Sequence, residues 1–161
     1  MGKLLIGTSG YSYKDWVGTV YPPGTAQKDY LKRYAEMFSF TELNFSYYRQ
    51  PDPRTLERML YLTGPEFMFS IKGHKTLTHE RGGDLRKESQ VFREGIWPLA
   101  EAGRLAAVVM QFPHSFHYTP ASRKHLDMLC REFDGFPLAV EFRGSEWQRD
   151  SVYDGLRKRE V

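Results

Sequence analysis

Glu42 with Asn44, Ser70 with Lys72, Gln111, and Glu141 with Arg143 each stand at or just beyond the carboxyl end of a short apolar run. Within each pair the two residues are two positions apart, the spacing at which strand side chains share a face. Arg143 and Lys72 offer positive charge suited to an anion, the first as a planar fork and the second as a point charge. Glu42 and Glu141 are carboxylates that, facing one pocket, can serve as general acid and base once their pKa values are driven apart. The competing structural role is a ring of ion pairs with Lys72 and Arg143 that neutralises buried charge. A Schiff-base role for Lys72 is the weaker expectation, since it requires Arg143 and desolvation to lower the lysine pKa. Glu42, Glu141 and His79 are ligand types for a divalent metal, but no HExxH or paired-ligand spacing occurs. A metal is therefore the lesser expectation, and no cofactor is evident.

The loops beyond the same runs carry aromatic and basic side chains: Tyr11, Tyr13, Lys14 and Trp16, then Tyr47, Tyr48 and Arg49, then Lys75, His79 and Arg81. His114, Phe116 and His117 follow the fourth run, and Trp147 follows the fifth. Flat apolar rings interleaved with cations suit a ligand that carries both a phosphate and a ring. Trp16, Tyr48 and Trp147 are the expected stacking groups. His79 is the expected hydrogen-bonding or proton-transfer group, whereas His74 and His125 are expected at the surface.

The elements that must position these groups are five strands and the helices between them. Strand-like runs lie at Leu4 to Thr8, Phe40 to Phe45, Phe67 to Ile71, Leu105 to Phe112 and Leu138 to Phe142. Each is followed by a helix signal. Leu31, Tyr34, Ala35 and Phe38 line one helical face, and Asp52 and Pro53 open a second helix with the stripe Leu56, Met59 and Leu60. Asp84 opens a third, with Val91, Phe92, Ile96 and Leu99 inward and Pro98 expected to kink or end its last turn. Thr119 and Pro120 open a fourth that buries Cys130 beside Leu126, Leu129 and Phe133, and Val152, Tyr153 and Leu156 mark a short fifth.

Strict alternation of strand and helix predicts an α/β fold with a parallel sheet of the TIM-barrel type. No Gly-x-Gly-x-x-Gly follows the first strand, which argues against dinucleotide binding. A closed eight-stranded barrel takes about 250 residues. The 161 residues here therefore read as a single barrel domain, 1–161, of five βα units and incomplete at its C-terminal end. The free edge after Leu138 to Phe142 is expected to invite self-association.

Composition sets the outer limits. With 40% hydrophobic and 27% charged residues the chain is globular, and a net charge of +3 is too small to bind nucleic acid by overall field. Any grip on phosphate must be local. One cysteine, Cys130, excludes a disulfide framework. The start MGKLLIGTSG lacks the features of an export signal, and no apolar run approaches the roughly 20 residues that span a bilayer. A cytoplasmic protein without membrane contact is expected.

The segments GTSGYSYKDWVGTVYP, ELNFSYYRQP, FSIKGHKTLTHE, VVMQFPHSF and AVEFRGSEW resemble, in order and spacing, signature segments of the YecE-like family, a bacterial and archaeal domain of unknown function. The resemblance spans essentially the whole chain. It implies a β/α barrel in a family of longer members with no settled activity. By matching motifs it places cleft-lining positions on Ser9, Tyr11, Trp16, Glu42, Asn44, Tyr48, Lys72, His79, Gln111, Glu141, Arg143 and Trp147. Members commonly read Asn-Ser-Thr-Phe-Tyr where this chain reads Asn44-Phe45-Ser46-Tyr47-Tyr48, so Phe45 replaces a small side chain.

The expectation is a barrel protein that takes a nucleotide or nucleic-acid-like ligand in its strand-end cleft. As a hydrolase or lyase it would draw on Glu141, His79 and Lys72. A metal-assisted enzyme acting on a sugar or sugar phosphate is the second expectation. A binding module with a structural ion-pair ring is the third.

Overall fold

The computed structural model describes residues 4–161. Its apolar runs pair as β1 (Gly7–Ser9), β2 (Phe40–Leu43), β3 (Met68–Lys72), β4 (Leu105–Gln111) and β5 (Leu138–Glu141). All pairings are parallel, and the strand order follows the chain. The first strand is shorter and later than expected, because Leu4 and Ile6 lie exposed and pairing begins at Gly7. A Cβ on Gly7 would sit 1.9 Å from the Phe40 carbonyl oxygen, so glycine is what lets the two backbones approach here.

Helices fill every crossover: α1 (Tyr30–Ala35), α2 (Phe45–Tyr48), α3 (Pro53–Leu62), α4 (Lys75–Thr78), α5 (Leu85–Glu101), α6 (Pro120–Glu132) and, after the last strand, α7 (Asp150–Arg157). The expected caps form. Asp52 accepts from the Thr55 amide at 3.1 Å, Asp84 from the Arg86 and Lys87 amides at 3.0 and 3.2 Å, and Thr119 from the Ser122 amide at 3.2 Å. Pro98 does not end α5, which runs on to Glu101. Val91, expected on the inner stripe of α5, is exposed. The helix is close-packed elsewhere, since a Cβ on Gly95 would lie 2.4 Å from the Pro51 carbonyl oxygen.

Alternation splits the sheet into two unlike faces. Leu43, Phe69, Ile71, Val108 and Met110 are buried in one cluster with Leu56 of α3, Phe92, Ile96 and Leu99 of α5, and Leu129 and Cys130 of α6. Each such side chain contributes about 1.5 to 3 kcal/mol. The residues one step along, Glu42, Lys72 and Gln111, are half-buried on the opposite face, and Glu141 is exposed. Among the described residues β1 and β5 each have one strand neighbour, so the five-stranded sheet does not close. No helix among the described residues is long and apolar enough to cross a membrane.

Two polar anchors hold this frame. Arg104, at 7% exposure, enters beneath the amino ends of β3 and β4. Its Nε donates to the Phe67 carbonyl at 2.7 Å, one terminal nitrogen donates to the Leu60 carbonyl at 3.0 Å, and the other donates to Thr63 Oγ1. The second anchor corrects the expectation of surface histidines. His74 is only 8% exposed and pairs through Nδ1 with Thr76 Oγ1 at 2.9 Å, while Thr76 donates on to Glu88. His125 is half-buried and bonds the Leu77 carbonyl through Nε2 at 2.8 Å. The His74 ring caps α4, and the His125 ring ties α4 to α6.

Candidate functional site

The staggered register of the parallel strands brings the polar ends together. Ser9 lies level with Glu42, and Gln111 with Glu141. Side chains of consecutive strands thereby meet in two short hydrogen-bonded groups. In the first, Ser9 Oγ donates to Glu42 Oε1 at 2.8 Å and accepts from Asn44 Nδ2 at 2.7 Å. In the second, Lys72 Nζ donates to Gln111 Oε1 at 2.6 Å, and Gln111 Nε2 donates to Glu141 Oε1 at 2.6 Å. Arg143 Nε stands 3.8 Å from the same Glu141 oxygen, with its side chain half exposed.

This arrangement differs from a ring of ion pairs. Lys72 hydrogen-bonds a neutral amide, Glu141 meets Arg143 only loosely, and Glu42 has no cation partner among the described residues. Gln111 is the bridge that keeps the lysine and the carboxylate apart while holding both. The two groups border a concave space of about 540 Å³, within the range of small-molecule sites.

Single-turn helices set the rim. Ser46 of α2 is buried and donates to the Lys72 carbonyl at 2.5 Å, which locks that turn over the end of β3. Tyr47 then lies 5.1 Å from the Lys72 ammonium and 5.0 Å from the His79 ring, which meets it edge-on. Tyr48 stands out into solvent at 75% exposure. His79 closes α4, with Nδ1 2.8 Å from Thr78 Oγ1. Burial pulls the His79 pKa below its ordinary value, and the positive charges of Lys72, Arg81 and Arg143 pull it further. A neutral imidazole is able to accept a proton.

Of the residues expected in the cleft, the structure brings together Ser9, Glu42, Asn44, Tyr48, Lys72, His79, Gln111 and Arg143, with Glu141 joined through Gln111. Three aromatic residues lie elsewhere. Trp147 is 1% exposed, stacked 5.0 Å from Phe116 and 4.6 Å from Phe142, and its indole N–H donates to the Phe116 carbonyl at 2.5 Å. It is a core residue. Trp16 packs against Tyr13, Tyr21 and Tyr34, and half-buried Tyr11 packs against Tyr34. Arg81 covers the Phe116 ring at 4.6 Å. Tyr47 and His114, counted only among rim groups in the sequence, line the cleft itself. Among the described residues no three His, Cys, Asp or Glu side chains converge as a metal would require.

A roomier hollow of about 640 Å³ lies between α6 and α7, but it is lined by no amide side chain, and its one carboxylate, Asp127, is already paired with Arg159 and Arg131. Chemistry places the candidate site at the strand ends, where barrel folds collect their functional groups.

Burial also lowers the pKa of His74 and of His125, as it does for His79. Each folded histidine then resists a proton that the unfolded chain accepts near its ordinary value of about 6.5. Stability is fully present above that value and is lost as pH falls below it, because the unfolded state binds more protons there. The melting temperature should drop between pH 7.5 and pH 5.5, in a window set by pKa values below about 6.5. A melting temperature that holds or rises over that interval would contradict the burial of these rings.

A family described as "Protein of unknown function DUF72" matches residues 5–161. The chain belongs to the DUF72 family. The YecE-like motifs and this match name the same family. Among solved structures, the DUF72 protein TM1631 from Thermotoga maritima MSB8 is 37% identical and superposes with a TM-score of 0.86 over 98% of this chain and 62% of its own. The DUF72 protein EF0366 from Enterococcus faecalis V583, at 20% identity, shares the fold with a TM-score of 0.81 over 96% of this chain and 57% of its own. The UPF0759 protein YunF of Bacillus subtilis (strain 168) is 27% identical over 156 residues, 94% of this chain and 54% of the relative. This DUF72 chain thus spans between half and two thirds of the relatives it matches.

Proposed function

We propose that the strand-end cleft binds a ligand that carries both a phosphate and a ring, of nucleotide or nucleic-acid type. The observation that supports this is the state of the two cations. Arg143 is half exposed and held to Glu141 only at 3.8 Å, so its guanidinium fork is available to an anion. Lys72 gives one N–H to a neutral amide and retains the other two. Tyr47 and exposed Tyr48 offer ring faces beside them, in place of the tryptophans expected from sequence. For a hydrolase or lyase step, neutral His79 is the base within reach of such a ligand, with Glu141 across the cleft.

The test is binding of a fluorescently labelled single-stranded oligonucleotide at several salt concentrations. Affinity should fall steeply as salt rises. Arg143→Ala should weaken it about 10- to 100-fold, since a hydrogen bond to a charged group contributes about 1.5 to 3 kcal/mol. The melting temperature should stay nearly unchanged, because Arg143 is loosely paired. No binding at low salt would remove the nucleic-acid version, and binding indifferent to both salt and Arg143 would overturn the reading.

A further inference from the structure

The cleft has two unlike ends, and the proposal that follows rests on the phosphate-binding reading just given. At one end is Arg143, just beyond β5. At the other is Glu42 of β2, a carboxylate with no cation partner among the described residues although Lys72 stands between the two on adjacent β3. Three strand spacings of about 4.8 Å put the backbones of Glu42 on β2 and Glu141 on β5 at most roughly 14 Å apart along the sheet. A phosphate held by Arg143 therefore lies toward the β5 side of the cleft, with the Glu42 carboxylate on the β2 side. A sugar and its substituents can bridge the two.

Glu42 is also oriented. Ser9 gives its only proton to Glu42 Oε1, so its oxygen must take an N–H from Asn44, which fixes the Asn44 amide. Glu42 Oε2 and Asn44 Oδ1 are left as acceptors with no donor among the described residues. Two held acceptors, one of them charged, call for a ligand that presents hydroxyl donors. A carboxylate that accepts from ribose hydroxyls is a recurrent solution in nucleotide-binding proteins of other folds.

We propose that Glu42, positioned by Ser9 and Asn44, reads the ribose hydroxyls of the ligand, so that the cleft takes ribonucleotides in preference to deoxyribonucleotides. The shared chemistry is a phosphorylated ribose, whether free or as a unit of an RNA strand. The hydroxyl that DNA lacks is the group by which proteins tell the two apart.

The experiment measures the Kd of the full chain for adenosine monophosphate, deoxyadenosine monophosphate, and RNA and DNA oligomers of one sequence. The wild type should prefer the ribose form by at least about tenfold, the effect of one hydrogen bond to a charged acceptor. Glu42→Gln should shrink that preference to about threefold or less, because the charged acceptor for the 2′-hydroxyl has gone. Preference among the free nucleotides alone assigns the site to a small molecule, and preference among the oligomers assigns it to RNA. Both results support the proposal. Equal affinity for ribose and deoxyribose forms overturns it while leaving phosphate binding intact. A ribose preference that survives Glu42→Gln overturns the assignment to Glu42. Failure of every phosphate ligand to bind removes this proposal and the reading beneath it together. The wild-type comparison decides the main point even where a variant folds poorly.

Discussion

Trp147→Ala is expected to destabilise the protein by about 3 to 5 kcal/mol, the range found when a large aromatic side chain is deleted from a core. The side chain lies parallel to the rings of Phe116 and Phe142, and Tyr118 meets it edge-on at 5.0 Å. Truncation would empty that stack and strip the Phe116 carbonyl of its indole donor. For a domain of this size each kcal/mol moves the melting temperature by about 2 to 4 °C. Chemical denaturation measures the change directly. Were Trp147 a ligand-stacking residue instead, the variant would unfold at the wild-type midpoint and lose only binding.

Arg104→Met ranks next. Methionine can replace much of the apolar stem, but three acceptors lose their donor at once: the Leu60 and Phe67 carbonyls and the Thr63 hydroxyl. Buried groups left unsatisfied cost about 1 to 3 kcal/mol apiece, partly relieved by water, so a loss of about 2 to 4 kcal/mol is expected. Arg104→Lys should fall between the two, because a single ammonium cannot reproduce the fork that spans α3 and the start of β3. Ligand affinity per folded molecule should not change, since this anchor sits at the opposite end of the sheet from the cleft. Equal stability of the Lys and Met variants would contradict the role of the fork.

Period-two alternation read most of the strand residues that face the cleft, but Ser70, expected beside Lys72, is buried and does not line it. Glu42, Lys72, Gln111 and Arg143 converge because their apolar neighbours Leu43, Ile71, Met110 and Phe142 are driven under the helices or into the aromatic stack. Helix starts were equally legible at Asp52, Asp84 and Thr119, where cap and first-turn residues act locally. The loops were not. α2 and α4 are single turns, too short for a periodic stripe, yet they decide that Tyr47 leans over Lys72 and that His74 is buried. Composition likewise could not separate a tryptophan at a mouth from one beneath it. Trp147 follows its strand as a rim residue would, and only the stack of Phe112, Phe116 and Phe142 explains why it turns inward. Gln111 shows a further limit: its position was readable, but not its service as an insulator between Lys72 and Glu141.

The first strand contributes three residues and hydrogen-bonds, among the described residues, to β2 alone. Short peripheral segments of this kind open at lower free energy than a protein's interior. Ser9 is the last residue of that segment and the group that steers Glu42. Occupancy of the cleft would thus be thermodynamically linked to docking of the amino-terminal segment: apparent affinity scales with the fraction of molecules in which it is docked. Substitutions that loosen that segment would then act as remote modulators of affinity without touching the ligand.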